Sequence, residues 1–259
     1  MRLIDTHAHL DCAEFADDYR AVLTRSRALG VERVVLPGVQ ASTWPRLWQL
    51  ADQEPMLWAA PGLHPLYLAQ HRPEHLSQLR TELEHWRGHH KLCALGEIGL
   101  DYWIAEADKE AQQQLLEAQL RLALEFELPV LLHVRRAHAA MIASLKRHRL
   151  PRGGILHAFS GSLEEAKEYQ RLGFLLGLGG AGTWPQAKRM QRVLQQLPLE
   201  ALVLETDAPD IAPASHPQQR NSPEYLPDIC CALAAIRGIS PEQLGEATYQ
   251  NTCSLFGWH

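Results

Sequence analysis

Cysteine is scarce in this 259-residue chain. The five present (Cys12, Cys93, Cys230, Cys231 and Cys253) are odd in number and lack the paired spacing of a metal knuckle. A disulfide framework is therefore excluded, and reduced thiols of a cytoplasmic protein are the expectation. No apolar run approaches the roughly eighteen uninterrupted residues of a membrane span, so no membrane contact is expected. The opening Met1-Arg2-Leu3-Ile4-Asp5 lacks the apolar core of a signal peptide. No repeat, low-complexity tract or linker divides the chain, and residues 1–259 read as a single domain. No obligate protein partner is evident. Positive charge is not in excess either, with 25 basic against 30 acidic residues and a net charge of −5. Tracking along an extended duplex rests on neutralising many phosphates, so that mode is excluded. A local grip on a single phosphodiester at a strand end stays open.

Histidine, by contrast, is plentiful: there are fourteen. Their placement emerges from the apolar pattern. Short apolar runs recur at Leu3-Ile4, Val34–Leu36, Leu57–Ala60, Leu92–Leu95, Val130–Leu132, Gly154–Leu156, Phe174–Leu176 and Ala201–Leu204. They are continuous rather than alternating, as parallel strands buried on both faces require. Amphipathic segments lie between them. One spans Lys109 to Glu127 and stops before Leu128-Pro129; another spans Leu163 to Leu172 and ends at Gly173, a good left-handed cap. Eight such alternations predict an α/β fold, a single-domain (β/α)8 barrel, with an open doubly wound sheet as the alternative. One irregular, proline-rich stretch, Ala208 to Pro223, follows the eighth run.

The residues just beyond these runs favour the barrel. The first run leads into Asp5-Thr6-His7-Ala8-His9, where residues two apart on extended chain face the same side. Glu97 follows the fourth run, His133 the fifth, His157 the sixth and Asp207 the eighth. In a barrel the C-terminal strand ends share one mouth, where the active sites of this architecture sit. Singly, each of these residues has an ordinary structural explanation, as a helix cap, an ion-pair partner or a hydrogen-bonded core histidine. Jointly, His7, His9, Glu97, His133, His157 and Asp207 predict a metal centre at the mouth. Imidazoles mixed with carboxylates suit zinc, manganese, magnesium or nickel without choosing among them. Six donors exceed the needs of one catalytic ion, so two divalent ions bridged by Glu97 are expected. His64, after the third run, is a candidate for substrate contact or for protonating a leaving group. Arg135, Arg220 and Asn221 are candidate phosphate contacts. Trp103 and Trp184 are candidate base-stacking faces, and Asp5 a candidate orienter of a ligand histidine.

The succession Asp5-Thr6-His7-Ala8-His9-Leu10, Gly62-Leu63-His64-Pro65, Gly96-Glu97-Ile98-Gly99-Leu100-Asp101, His133-Val134-Arg135, His157-Ala158-Phe159-Ser160-Gly161 and Glu205-Thr206-Asp207-Ala208-Pro209 resembles the TatD-type deoxyribonucleases along essentially the whole chain. The His-x-His element is shared by the wider amidohydrolase superfamily; the Gly-Glu-Ile-Gly-Leu-Asp and Glu-Thr-Asp-Ala-Pro elements are the diagnostic ones. Arg136, where many members carry an acidic residue, and the Gly179-Gly180 pair look like a YjjV-like branch. The resemblance implies two divalent ions, one held by the residues at His7, His9, Glu97 and Asp207 and the other by those at Glu97, His133 and His157. It further implies hydrolysis of DNA phosphodiesters, often from a 3′ end of single-stranded DNA, in the cytoplasm. Glu97 would be catalytic as the bridge, Asp207 the general base acting on a metal-activated water, and His64 would orient the phosphate. The rival readings are a hydrolase of a small amide, lactone or phosphoester, and a metal-binding barrel without catalysis.

Overall fold

The computed structural model describes residues 1–103, 106 and 108–258. Its eight strands among the described residues are β1 (Leu3–Asp5), β2 (Val31–Pro37), β3 (Leu57–Ala60), β4 (Leu95–Asp101), β5 (Val130–Arg135), β6 (Gly154–Leu156), β7 (Phe174–Leu178) and β8 (Leu202–Leu204). Helices α1 (Tyr19–Ala28), α2 (Trp44–Gln53), α3 (Pro73–His85), α4 (Lys109–Phe126), α5 (His138–His148), α6 (Leu163–Arg171) and α7 (Lys188–Gln196) alternate with them. After β8 come α8 (Leu226–Arg237) and α9 (Pro241–Phe256).

All pairings are parallel, and neighbours in sequence are neighbours in space: β1-β2-β3 and β4-β5-β6-β7-β8 form two regular arcs. Two seams join the arcs. Across one, Cys93 N donates to Ala59 O (3.0 Å) and Glu97 N to Gly38 O (2.8 Å). Across the other, Thr6 N donates to Leu204 O (3.1 Å) and Asp207 N to His7 O (2.8 Å). The sheet thus closes into the (β/α)8 barrel that the strand spacing predicts.

The continuous apolar runs have a direct explanation in the core, which comes in two parts. Ile4, Val35, Ala60, Leu131, Ile155 and Val203 pack together inside the barrel. Their immediate neighbours, such as Leu3, Val34, Leu36, Val130, Leu132 and Leu204, pack outward with the helices. Alternate residues therefore face opposite cores, and both faces are apolar. The same period of two carries the chain from Leu131 to His133, from Ile155 to His157, and from Val203 to Glu205 and Asp207.

The fourth strand corrects the sequence-based boundary. The run Leu92–Leu95 was expected to be the strand, with Glu97 beyond its end. Instead Leu92 makes only an isolated bridge to Ala59, and regular pairing with β5 starts at Leu95. Gly96-Glu97-Ile98-Gly99-Leu100-Asp101 is the strand itself, buried at every position. Glu97 accordingly projects from within β4, and His133 from within β5, rather than from their ends.

The helices match more closely. α4 is capped by the Asp108 carboxylate on Ala111 N (2.9 Å) and ends at Glu127 in a left-handed conformation. α6 begins with a reciprocal capping box between Ser162 and Glu165, and Gly173 (φ +85°) follows it as expected. No helix or strand interrupts the stretch from 205 to 221, the irregular loop anticipated after the eighth run.

Candidate metal centre

His7 and His9 lie just past β1, where Asp207 N and His9 N continue the pairing between the first and last strands. Asp5 is not behind a ligand ring. Its buried carboxylate accepts from His7 N (3.2 Å), Thr206 N (2.9 Å) and Thr206 Oγ1 (2.6 Å). It is a clamp that holds the two ligand-bearing backbones in register. Burial raises its pKa to about 7 against those hydrogen bonds. Two buried glutamines of α4 do the equivalent on the opposite side. Gln119 binds both backbone groups of Leu63, next to His64, at 2.8 and 3.0 Å. Gln112 does the same for Asp101 at 2.8 and 2.9 Å.

Held in this way, the six predicted ligands converge, and Glu97 stands at their centre. Its Oε2 faces His7 Nε2 at 3.2 Å and His9 Nε2 at 3.7 Å. Its Oε1 faces His133 Nδ1 at 3.1 Å and His157 Nε2 at 3.7 Å. Asp207 Oδ1 lies 3.7 Å from His7 Nε2, 3.9 Å from His9 Nε2 and 3.8 Å from His157 Nε2. Donors each about 2.1 Å from a common ion stand roughly 3.0–3.4 Å apart in tetrahedral or octahedral geometry. The separations here are of that size or slightly wider. His7 Nε2 and His9 Nε2 also face each other at 3.3 Å, two ring nitrogens turned to one point. The donor chemistry therefore fits divalent cations.

The electrostatics of the cluster are set by burial and by its own neighbouring charges. Burial works against the Glu97 carboxylate, yet His64, His7 and His157 and a hydrogen bond from His133 hold its pKa well below the usual range. Burial likewise opposes a charged His157, but Asp207, Glu205 and Glu97 raise its pKa to about 10. His7 goes the other way, down to about 4, through burial and the neighbouring His157. Asp207 is raised to about 6 by burial, with His157 and His9 opposing.

Two carboxylates that sequence reasoning did not place in the centre steady its imidazoles. Glu205 Oε1 accepts from His157 Nδ1 (3.1 Å) and Ala158 N (2.6 Å), and Asp101 Oδ2 lies 3.0 Å from His133 Nε2. Each orients a ring from the side away from Glu97. The available signal was parity: Glu205 stands two residues past Val203, and Asp101 four past Glu97. His64 also joins the cluster. Its Nδ1 accepts from Leu66 N (3.1 Å), which leaves Nε2–H to donate to Glu97 Oε1 at 3.1 Å.

The candidate substrate residues divide. Arg135 is exposed beside the cluster, with its guanidinium 4.2 Å from the Trp103 ring centroid. Trp103 is 49% exposed, as a stacking face must be. Trp184 instead donates from its indole to Ala212 O (3.0 Å) and lines an outer cavity. Arg220 and Asn221 are employed elsewhere. Arg220 is paired with both Asp18 oxygens (3.0 and 2.7 Å), donates to Glu14 O, and stacks over Phe15. Asn221 is fully buried, and its amide donates to Thr206 O and Asp210 O, both at 2.7 Å. The expected phosphate contacts at 220 and 221 are loop anchors, because the neighbouring acid and carbonyls satisfy them first.

Imidazoles and carboxylates gathered in a closed parallel barrel fit a metal-dependent hydrolase, and comparison with known proteins shows that class for this protein. Residues 4–257 match the family described as TatD related DNase. The chain is 41% identical to the metal-dependent hydrolase YjjV of Escherichia coli (strain K12) over 98% of each chain. The crystal structure of that relative superposes with a TM-score of 0.95, covering 99% of this chain and 98% of the other. It is 33% identical to the 3′-5′ ssDNA/RNA exonuclease TatD of Citrobacter rodentium, again over 98% of each. The chain belongs to the TatD family. No helix among the described residues is long and apolar enough to cross a membrane.

Proposed function

We propose that this centre takes two divalent ions and hydrolyses phosphodiester bonds of single-stranded DNA, removing nucleotides from a 3′ end. The observation that carries the reading is the division of Glu97: one oxygen faces His7 and His9, the other His133 and His157. A carboxylate presenting its two oxygens to two sets of imidazoles suits a bridge between two ions, zinc, manganese, magnesium or nickel. Bound there, divalent ions supply Lewis acidity toward a phosphate and bring a water's proton within reach of removal near neutral pH. The exonuclease name carried by relatives at about one-third identity supports nucleic acid as the substrate.

The protein's own residues divide the remaining work. His7, His9 and Asp207 with Glu97 Oε2 would hold one ion; Glu97 Oε1, His133 and His157 would hold the other. Asp207 borders the cavities on both sides of the cluster, so its carboxylate is the base positioned to receive the proton of the attacking water. His64, beside Glu97 and lining the cavity, would orient a phosphate oxygen by turning its Nε2–H from Glu97 to the substrate. The five unpaired thiols suit action in the reducing cytoplasm.

The test is direct. Protein stripped with chelator and reloaded with manganese or zinc should shorten single-stranded oligonucleotides, and Glu97→Ala should lose this while keeping the wild-type circular dichroism. Offered in parallel are lactones, amides and small phosphoesters. Turnover of one of those with intact oligonucleotides would replace this reading by the small-substrate one.

A further inference from the structure

Two cavities meet at the metal cluster, sharing His133, His157, Asp207 and Asp210, and their linings are opposite in character. The first, about 400 Å³, runs toward the loop after β1 and the loop after β3. Asp11 and Glu14 line it together with Gln40, Thr43, Leu66 and Tyr67, and among the described residues no lysine or arginine does. Arg220, the cation acting on Glu14, has its guanidinium taken by Asp18, and Arg46 is the cation acting on Asp11. The second cavity, about 560 Å³, is lined by Arg135 and Ser160 with Ala158, Ala181, Met190 and Ile211. Beyond Asp207 and Asp210, which line both cavities, its lining among the described residues carries a cation and no acid.

Both sides continue outward: Gln40 lines the first cavity and another that reaches Arg72 and His75, so the two sides differ in the charge of the walls nearest the cluster. Ala181 and Ile211 line both the second cavity and a further one, which extends the track to Trp184. Along the other margin, Arg135 and Arg136 flank the exposed Trp103 ring at 4.2 and 3.8 Å, and neither is paired with a carboxylate among the described residues. Ile211 is 41% exposed and sits at φ +52°, a left-handed conformation that a β-branched residue strongly disfavours. It is held there from outside: its carbonyl accepts from Asn221 Nδ2 (3.3 Å), and that carbonyl fills the space where a Cβ of Gly180 would stand. Strain maintained by its surroundings so that an apolar side chain stays exposed beside a catalytic cluster points to contact with a ligand.

We infer that the cleft is directional: the strand that remains after cleavage lies over Arg135, Arg136, Trp103 and Ile211, and the acid-walled cavity receives one terminal nucleoside with a free hydroxyl. The inference rests on the proposed nuclease reading and assigns the two halves of that site. Beyond the shared Asp207 and Asp210, the phosphates nearest the scissile bond meet a guanidinium on one side and two carboxylates on the other, and this favours the polyanion on the Arg135 side. Bases on the retained strand find the guanidinium planes stacked on Trp103 and the apolar ridge of Ile211. The acid wall makes the cavity an end-stop: it admits the uncharged end of a strand and repels a terminal phosphate or a continuing chain.

The experiment uses manganese-loaded protein and four single-stranded DNA probes of one sequence: 3′-hydroxyl, 3′-phosphate, 5′-phosphate and a closed circle. The 3′-phosphate should slow cleavage on the order of tenfold, the 5′-phosphate should leave it unchanged, and the circle should survive. Glu14→Gln, on an exposed residue, and Asp11→Asn should each narrow the gap between 3′-hydroxyl and 3′-phosphate. The double variant Arg135→Ala/Arg136→Ala should raise KM for a dodecamer more than for a dinucleotide. It should also flatten the slope of log KM against log salt by roughly 0.7 per arginine. Indifference to the 3′-phosphate or an unchanged salt slope would each overturn the directional cleft while leaving the nuclease reading intact. Cleavage of the circle at the linear rate would overturn both the cleft and removal from a 3′ end, leaving only phosphodiester hydrolysis. Failure to cut any of the four probes would remove the nuclease reading instead.

Discussion

Glu205 touches no proposed ion, yet its removal should weaken the binding of one. Its Oε1 accepts two hydrogen bonds, from His157 Nδ1 (3.1 Å) and Ala158 N (2.6 Å), and the residue is 1% exposed. Hydrogen bonds to a buried charged acceptor contribute about 1.5–3 kcal/mol. In Glu205→Ala the His157 ring loses that hold, and Nε2 loses its fixed aim at Glu97 and Asp207. Converted at about 1.4 kcal/mol per decade, the loss is roughly 10- to 150-fold in affinity. The range known for orienting partners of metal-bound histidines, about 10- to 100-fold, agrees. Glu205→Gln keeps an acceptor oxygen but not the charge, and should cost about half as much in free energy. An independent perturbation reaches the same carboxylate from the other side. A Cβ on Gly177 would overlap Glu205 Oε2 and lie 2.7 Å from its Cδ, so Gly177→Ala must turn the carboxylate or part the two strands. It too should weaken metal binding, although residue 177 has no side chain and is not itself a ligand. Competition against a chromophoric chelator measures both, with circular dichroism verifying the fold. If Glu205→Ala and Gly177→Ala both fold and bind metal within twofold of wild type, the orienting role is wrong.

Two further outcomes are expected away from the centre. Arg220→Ala should lower Tm by about 1–3 °C, since the pair with Asp18 is partly exposed and worth at most about 1 kcal/mol. It should leave KM for oligonucleotides unchanged, and a rise in KM would restore Arg220 as a substrate contact. Glu117 supplies a pH test. Burial works against its carboxylate, but hydrogen bonds from His148, Arg147 and Gln113 hold its pKa down at about 2. A depressed folded pKa contributes stability above the ordinary value of 4.5, and that contribution is lost as pH falls toward 2. Glu117→Gln should therefore lower stability by about 1 kcal/mol at pH 7, after allowance for solvent screening. The gap from wild type should narrow between pH 5 and pH 3, and a constant gap in chemical denaturation would contradict this origin.

The barrel was legible in sequence because its strands serve two cores at once. Leu3 with Ile4, Val34 with Val35, and Leu202 with Val203 each split between the outer and inner packing. A continuous apolar pair is what such a split requires. The same periodicity misplaced the fourth strand. Its buried positions include Gly96, Glu97 and Gly99, which carry no apolar signal, while the apolar Leu92 and Cys93 belong to the seam. Of the candidate site, the six clustered residues were readable because imidazoles and carboxylates fell at successive strands. The orienting partners were not, since Asp101 and Glu205 differ from surface acids only in where the fold takes them. Arg220 and Asn221 show the converse. Their residue types suit a phosphate, but three-dimensional neighbours, Asp18 for one and the Thr206 and Asp210 carbonyls for the other, occupy them.

The central claim is that Glu97 stands between two ions. Anomalous diffraction from crystals soaked in manganese or zinc measures it directly. The account predicts two peaks, one on the Oε2 side of Glu97 among His7, His9 and Asp207, the other on the Oε1 side between His133 and His157. A single peak, or two peaks that do not share Glu97, would contradict it.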